Sequence, residues 1–345
     1  MTIKLSVLDQ SPIREGGTTA EALAETVELA KLTDKLGYHR YWVAEHHNSE
    51  SFAGSAPEIM IAKLAAETGR IRVGSGGVMM THYAPLKVAE TFRVLHTLAP
   101  GRIDLGIGRA PGSDLRTMAA LQPGPERYGP QVYPQQIQLV KDLLADASGE
   151  VPMGENHPFF GIHARPAGPG GPEMWLLGSG PDSAEVAAVT GHPFSYAHFI
   201  VGDGGTEGIG GVETLMHYRR RFSPSTACPA PHAMVGVAAI IAETDEEAER
   251  LSSSVRLWAA RVGKGLHAPF PSPETALSYD YSDQEKAAIG AREKRVFLGT
   301  AEKVRDQLIS KAEEYGAQEL IVVTITYDHA ARLRSYELLA KAFGL

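Results

Sequence analysis

The strongest constraint in this sequence is a rhythm in which short apolar strands alternate with amphipathic helices from one end to the other. Strand patterns fall at 3–8, 40–44, 71–74, 103–107, 174–177, 194–201, 234–241 and 320–325. Helical spacing follows each of them. Leu23, Val27 and Ala30 precede Gly37, an Ala-rich stretch runs from Pro57 to Gly69, and Val88, Phe92 and Leu95 share one face, as do Ile137, Val140 and Leu144. Further helices begin near Pro181, cover 211–222 and start at Thr244-Asp245-Glu246-Glu247 in capping-box style; the last carries Leu333, Tyr336 and Phe343. Strands separated by helices pair in parallel through right-handed crossovers, and eight of them close a barrel. The expectation is an α/β fold, a (β/α)8 TIM barrel forming a single domain over 1–345. Two doubly wound domains meeting near 150–172 would satisfy the same alternation. That Gly- and Pro-rich stretch reads as a connection, because the rhythm resumes at Met174.

Composition removes several classes of function. With 43% hydrophobic and 21% charged residues, the chain can bury a core and is not disordered. Lys plus Arg number 33 against 41 Asp plus Glu, a net charge of -8, and no basic run is interleaved with aromatics. A general nucleic-acid or anionic-membrane surface is excluded on that balance. The single cysteine, Cys228, forms no internal disulfide and fits a reducing compartment, so a cytoplasmic location is expected. The first residues are too short an apolar run for a signal peptide or a membrane span. One stretch breaks the rhythm: 262–294 is poor in apolar residues and contains Pro269, Pro271, Pro273 and the polar patch Tyr279-Asp280-Tyr281-Ser282-Asp283. It reads as a long loop inserted before the eighth strand and a candidate mobile lid.

In a barrel of this kind chemistry sits where strands end. The second strand ends Ala44-Glu45-His46-His47-Asn48. If the chain stays extended there, His46 and His47 point to opposite faces, one toward the site and one buttressing it. The pair admits three uses: general acid/base work, a structural role, or a metal, for which no HxH or HExxH completes a ligand set. The third strand ends Gly74-Ser75-Gly76-Gly77, where backbone can approach a flat ligand closely or simply make a tight turn. The fourth ends Gly106-Ile107-Gly108-Arg109, whose cation suits a phosphate or a surface ion pair. The fifth runs into Gly178-Ser179-Gly180-Pro181-Asp182-Ser183, a helix start with free amides and two hydroxyls that would cradle a phosphate. Together with Asp203, this segment also imitates a dinucleotide fingerprint whose third glycine is missing. Met79, Met80 and Phe199 hint at a hydrophobic ligand, although each would serve core packing equally.

With 42–48, 73–77, 101–109 and 178–180 in this order, the chain resembles the bacterial luciferase-like flavin monooxygenases, and closest to their single-chain members without an assigned substrate. The resemblance implies a TIM barrel that takes reduced FMN, FMNH2, as co-substrate from a separate NAD(P)H:FMN reductase and uses O2 to oxygenate a small, hydrophobic organic substrate. It implies His46 as the catalytic residue near the reactive flavin edge. It implies Ala44, Ser75, Gly76 and Gly77 beside the ring, with Gly76-Gly77 a pair that can carry a non-proline cis peptide. Arg109, Gly178, Ser179, Gly180 and Ser183 match the phosphate pocket, and 262–294 the mobile loop of luciferase. Gly108 stands where some luciferases carry a reactive cysteine, so light emission is not implied. A homodimer is also implied, with no nucleic-acid or membrane partner and no metal. Two other uses of the same barrel stay open: a non-catalytic flavin-binding protein and an F420-dependent dehydrogenase.

Overall fold

The computed structural model describes residues 3–109, 112–122, 130–206 and 208–345. Its strands are β1 (Lys4–Asp9), β2 (Arg40–Val43), β3 (Arg72–Ser75), β4 (Val78–Met79), β5 (Ile103–Gly108), β6 (Glu173–Gly178), β7 (Phe194–Ala197), β8 (Ala233–Ile241), β9 (Val296–Gly299) and β10 (Glu319–Val323). Eight of them run in the order β10-β1-β2-β3-β5-β6-β7-β8, and β10 pairs back onto β8 from Glu319↔Met234 to Val323↔Ala238. That last pairing closes the sheet, and every pairing in it is parallel. A closed eight-stranded cylinder is not the pair of doubly wound sheets that the same alternation allowed.

Strand alternation sorts side chains into two layers. Tyr41 and Val43 of β2 face the surrounding helices, in a core shared with Leu29 and Ala30 of helix Thr19–Leu36. Trp42 and Ala44 face inward and pack with Leu8, Trp175, Met234, Ile321 and Val323. The two indoles meet edge to face at 5.6 Å.

Four details differ from the sequence reading. β7 ends at Ala197, and 198–201 coil into the short helix His198–Val201 instead of prolonging the strand. A short run such as Phe199-Ile200-Val201 looks the same in either conformation, and here the turn brings Phe199 and Ile200 to the cavity wall. β4 and β9 were not anticipated; β4 pairs with β5, and β9 adds to the upper end of β8 at Ala238–Ile241. Within 262–294, expected to be a long loop, lie the helices Pro273–Leu277 and Asp283–Glu293, the second started by a Ser282/Glu285 capping box. The second helix buries only Glu285, so it carries no apolar stripe to reveal it. Phe270 in the same stretch is buried and hydrogen-bonds through its backbone to Ile13 and Glu15. Among the described residues, no helix is long and apolar enough to cross a membrane.

The lower end of the cylinder, where strands begin, is sealed by charge. Arg40 is buried and meets Asp104 at 2.9 Å and Glu319 at 2.8 Å, with Glu173 at 3.5 Å. Arg72 adds contacts to Asp104 at 2.5 Å and Glu173 at 3.2 Å. The indole N–H groups of Trp42 and Trp175 donate to Asp104 and Glu173 at 2.9 and 2.7 Å, and Ser6 donates to Glu319. Burial opposes the charge on Arg40, but Asp104 and Glu319 raise its pKa well above the ordinary guanidinium value. Breaking a buried ion pair by deleting one partner strands the other charges, at a cost of about 3–5 kcal/mol. Arg40→Met is therefore expected to lower stability by about that much, read as a fall in the urea midpoint by circular dichroism. A midpoint within error of the parent would show that the network is not needed.

Candidate active site

Above the indoles the cylinder opens into a cavity of about 260 Å³ lined by Leu8, Trp42, Leu177 and Ile321 below and by Gly76, Gly77, Gly108 and Arg109 at the strand ends. Gly178, Ser179, Ser183, Met79, Phe199 and Ile200 also face it. Six of the ten expected site residues thus converge: Gly76, Gly77, Arg109, Gly178, Ser179 and Ser183. The other four lie beside the cavity. Ala44 packs inward below the rim with its N–H bonded to Asp9 O at 2.9 Å, and Ser75 spends its hydroxyl on Gly106 O at 2.8 Å. Gly180 caps helix Pro181–Thr190, close to Thr206. His46 stands at the rim, stacked on Phe52 at 4.5 Å. Ala110 and Pro111 of the Arg109 motif lie outside the described residues.

Glycine is required at two points of this wall. A Cβ on Gly77 would sit 2.8 Å from Gly106 O and 3.0 Å from Gly108 N, both backbone atoms that cannot step aside, and Gly76-Gly77 is joined by a cis peptide. A Cβ on Gly178 would overlap Ser183 Cβ at 2.3 Å, so the bare glycine is what lets the Ser183 hydroxyl approach.

The polar end of the cavity is built on adjoining strand ends. Pro181 opens helix Pro181–Thr190, and among the described residues no side chain caps its first amides, which leaves them available to an anion. Arg109, from the end of β5, reaches across to Asp182 of that helix at 3.3 Å. Thr206, not singled out in the sequence, donates to Ser179 O at 2.8 Å and fixes the turn. Asp203 does not join them. It is held by Lys311 at 2.8 Å, Tyr315 at 2.9 Å and His198 at 3.1 Å, so the dinucleotide imitation dissolves.

The two histidines diverge. His47 Nε2 lies 2.6 Å from Glu45 Oε1, and the buried Glu45 also accepts from Tyr83 Oη at 2.7 Å and the Met79 amide at 3.0 Å. Among the described residues, His46 keeps a buried Nδ1 without a hydrogen-bond partner. Burial, and then the neighbouring His47, push its pKa down to about 4, so its ring is neutral at neutral pH. A partnerless buried nitrogen is costly unless a ligand or water meets it.

Aromatic side chains roof the rim. Phe52 leans against Trp258 and Phe270 at 5.7 and 5.6 Å, and Trp258 stacks on Phe270 at 4.8 Å. The segment 262–294 and its flank straddle the mouth: Ala268 O accepts from Ser51 Oγ at 2.7 Å on one side, and Arg295 donates to Ile200 O on the other. Of the three apolar candidates, Met79 and Phe199 line the cavity, whereas Met80 is buried in the outer core. Ser195 and Gly236, also on the wall, were missed. Inward parity on β7 and β8 was their only signal, and it does not separate a cavity wall from packed core.

Residues 3–319 match the profile of the family described as luciferase-like monooxygenase. The N-acetyl-S-alkylcysteine monooxygenase of Bacillus subtilis is 36% identical over 345 residues, covering 99% of this chain and 98% of its own. The oxygenase component of a flavin-dependent trigonelline monooxygenase from Acinetobacter baylyi is 24% identical over 84% of this chain and 80% of its own. Among solved structures, apo-MsnO8 superposes with a TM-score of 0.88 at 40% identity, covering 99% of both chains. The chain belongs to the luciferase-like monooxygenase family.

Proposed function

We propose that this chain is an FMN-dependent monooxygenase that takes FMNH2 as a co-substrate from a separate NAD(P)H-dependent reductase and oxygenates a small organic molecule with an apolar arm. One observation carries the reading: the mouth cavity joins a bare glycine wall at Gly76 and Gly77 to an anion-accepting corner at Arg109, Ser179 and Ser183. That combination fits a flat ring bearing a phosphate. When bound, reduced FMN supplies the electrons with which O2 delivers one oxygen atom to the substrate and the other to water.

The protein's share is positioning, exclusion of water and proton handling. Gly76 and Gly77 would offer bare backbone to the ring, and the apolar Leu8, Trp42, Leu177 and Ile321 would exclude water from that part of the cavity. Arg109, now paired with Asp182, would hold the phosphate together with the first amides of helix Pro181–Thr190 and the two serine hydroxyls. His46, neutral and with Nδ1 free, accepts a proton at the rim and returns it. Phe52, Trp258, Phe270 and 262–294 act as the lid that sheds water. Met79 and Phe199 face the apolar arm, and the Bacillus subtilis relative's name, with its S-alkyl group, suits such a substrate. Exposed Ile59, Val94 and Leu98 on the neighbouring helices Pro57–Glu67 and Pro85–Leu98 suit a homodimer face, and the lone buried Cys228 suits the cytoplasm.

Rapid mixing of FMNH2-loaded protein with O2 and a thioether tests the reading: an oxygenated product is expected. Tight FMN binding without product would make the chain a flavin carrier, and binding of F420 in preference to FMN would make it a dehydrogenase. Arg109→Ala is expected to weaken FMN by about 1.5–3 kcal/mol while leaving riboflavin unchanged, by fluorescence titration. An equal loss for both would remove the phosphate contact. His46→Ala is expected to slow turnover by about a hundredfold with FMN affinity kept. His46 binds its proton more weakly folded than unfolded, so the stability it contributes disappears as pH falls from 6.5 toward about 4. Thermal melts between pH 7 and 4.5 should show a shallower decline for His46→Gln than for the parent.

A further inference from the structure

The described strands carry serines at Ser6, Ser75 and Ser195, and the first two have their hydroxyls engaged. Ser6 donates to Glu319, and Ser75 donates to Gly106 O at 2.8 Å. Ser195 differs from both. Phe194 and Tyr196 on either side of it belong to the outer core, so strand alternation turns Ser195 into the cylinder, where it lines the mouth cavity. Only 4% of the residue is exposed. Its partners in register are Leu177 on β6 and Met234 on β8, both apolar. Among the described residues its hydroxyl has no hydrogen-bond partner. A hydroxyl so placed is costly unless something in the cavity meets it.

Ser195 stands apart from the groups already given a role. The glycine wall at Gly76 and Gly77 follows β3, and the order β3-β5-β6-β7 puts two strands between that wall and Ser195. The anion-accepting corner is closer. Gly178 and Ser179 directly follow Leu177, the residue paired with Ser195, and both line the same cavity. With strands about 4.8 Å apart and about 3.3 Å of rise per residue, Ser195 lies roughly 6–8 Å from Gly178 and Ser179, on the side of the cavity floor. A ligand whose phosphate sits in the corner and whose ring lies on the glycine wall must pass a connecting chain through the space between. In FMN that connection is the ribityl chain, which carries hydroxyl groups.

We propose that Ser195 is the contact for the ribityl chain, so that the site selects a polyol-bearing flavin over the bare ring. The inference rests on the FMN reading and adds a residue for the part of the cofactor that the glycine wall and the phosphate corner leave unassigned. A serine hydroxyl both donates and accepts, so it pairs with a ribityl hydroxyl whichever way that proton points. Leu177 and Met234 beside it offer no competing polar group.

The test is fluorescence titration of the full-length protein with FMN, riboflavin and lumiflavin, the last being the same ring without the ribityl chain. The parent is expected to bind riboflavin more tightly than lumiflavin. Ser195→Ala should cut that preference by about fivefold to tenfold while leaving lumiflavin affinity and the FMN-to-riboflavin ratio as they were. Ser195→Cys fills similar space with a weaker donor and should behave as Ser195→Ala does. Unchanged lumiflavin affinity and a thermal midpoint near the parent's show that both variants keep the fold. No riboflavin preference in the parent, a preference that survives both substitutions, or an equal loss for riboflavin and lumiflavin would each overturn the proposal and leave the FMN reading in place. Failure of the parent to bind any of the three flavins would remove the FMN reading and the Ser195 assignment together.

Discussion

Arg40 is the fixed point of this barrel. It is the first residue of β2, yet its guanidinium reaches acids on β5 and β10 and approaches one on β6, so strands distant in sequence are tied at one depth of the cylinder. The ionic layer it centres stands in for the apolar packing usual at such a depth, and it is costly unless every lone pair finds a donor. Trp42 and Trp175 meet part of that need: their indoles donate to Asp104 and Glu173, and Trp42 also lines the cavity above. Charge below and aromatic surface above are two faces of the same layer.

From that layer upward the architecture works by exchanging side chains for space. Gly178 gives its volume to Ser183, and Gly236 gives room to Phe199, whose ring lies 3.1 Å from where a Cβ would stand. Gly76 leaves open a position that Leu8 and Trp42 would otherwise contest. The cavity is thus made in part by side chains absent from three strands and their ends. Close packing elsewhere in the cylinder keeps those vacancies from collapsing.

The barrel was legible because its signal is repeated. Period-two and period-3.6 patterns alternate eight times, and no single misread strand end can erase that. The strand-end glycines and the helix start at Pro181 were legible as well, since Gly, Pro and Ser at those spacings have few other uses. What escaped was whatever depends on the partner and not on the residue. The helix Asp283–Glu293 is nearly all polar and is set by a capping box and by its place over the mouth. Phe199 and Ile200 look like strand residues until the chain turns at Ala197.

The contact between Arg109 and Asp182 bears on how long a bound phosphate would stay. An incoming phosphate meets a cation already partly neutralised by a carboxylate of its own chain, and must displace that tenant before it can settle. In the monooxygenase reading such internal competition shortens residence. A reduced flavin would then arrive, be used and depart within a single cycle, as a visitor exchanged with another protein and not as a lodger kept between turnovers.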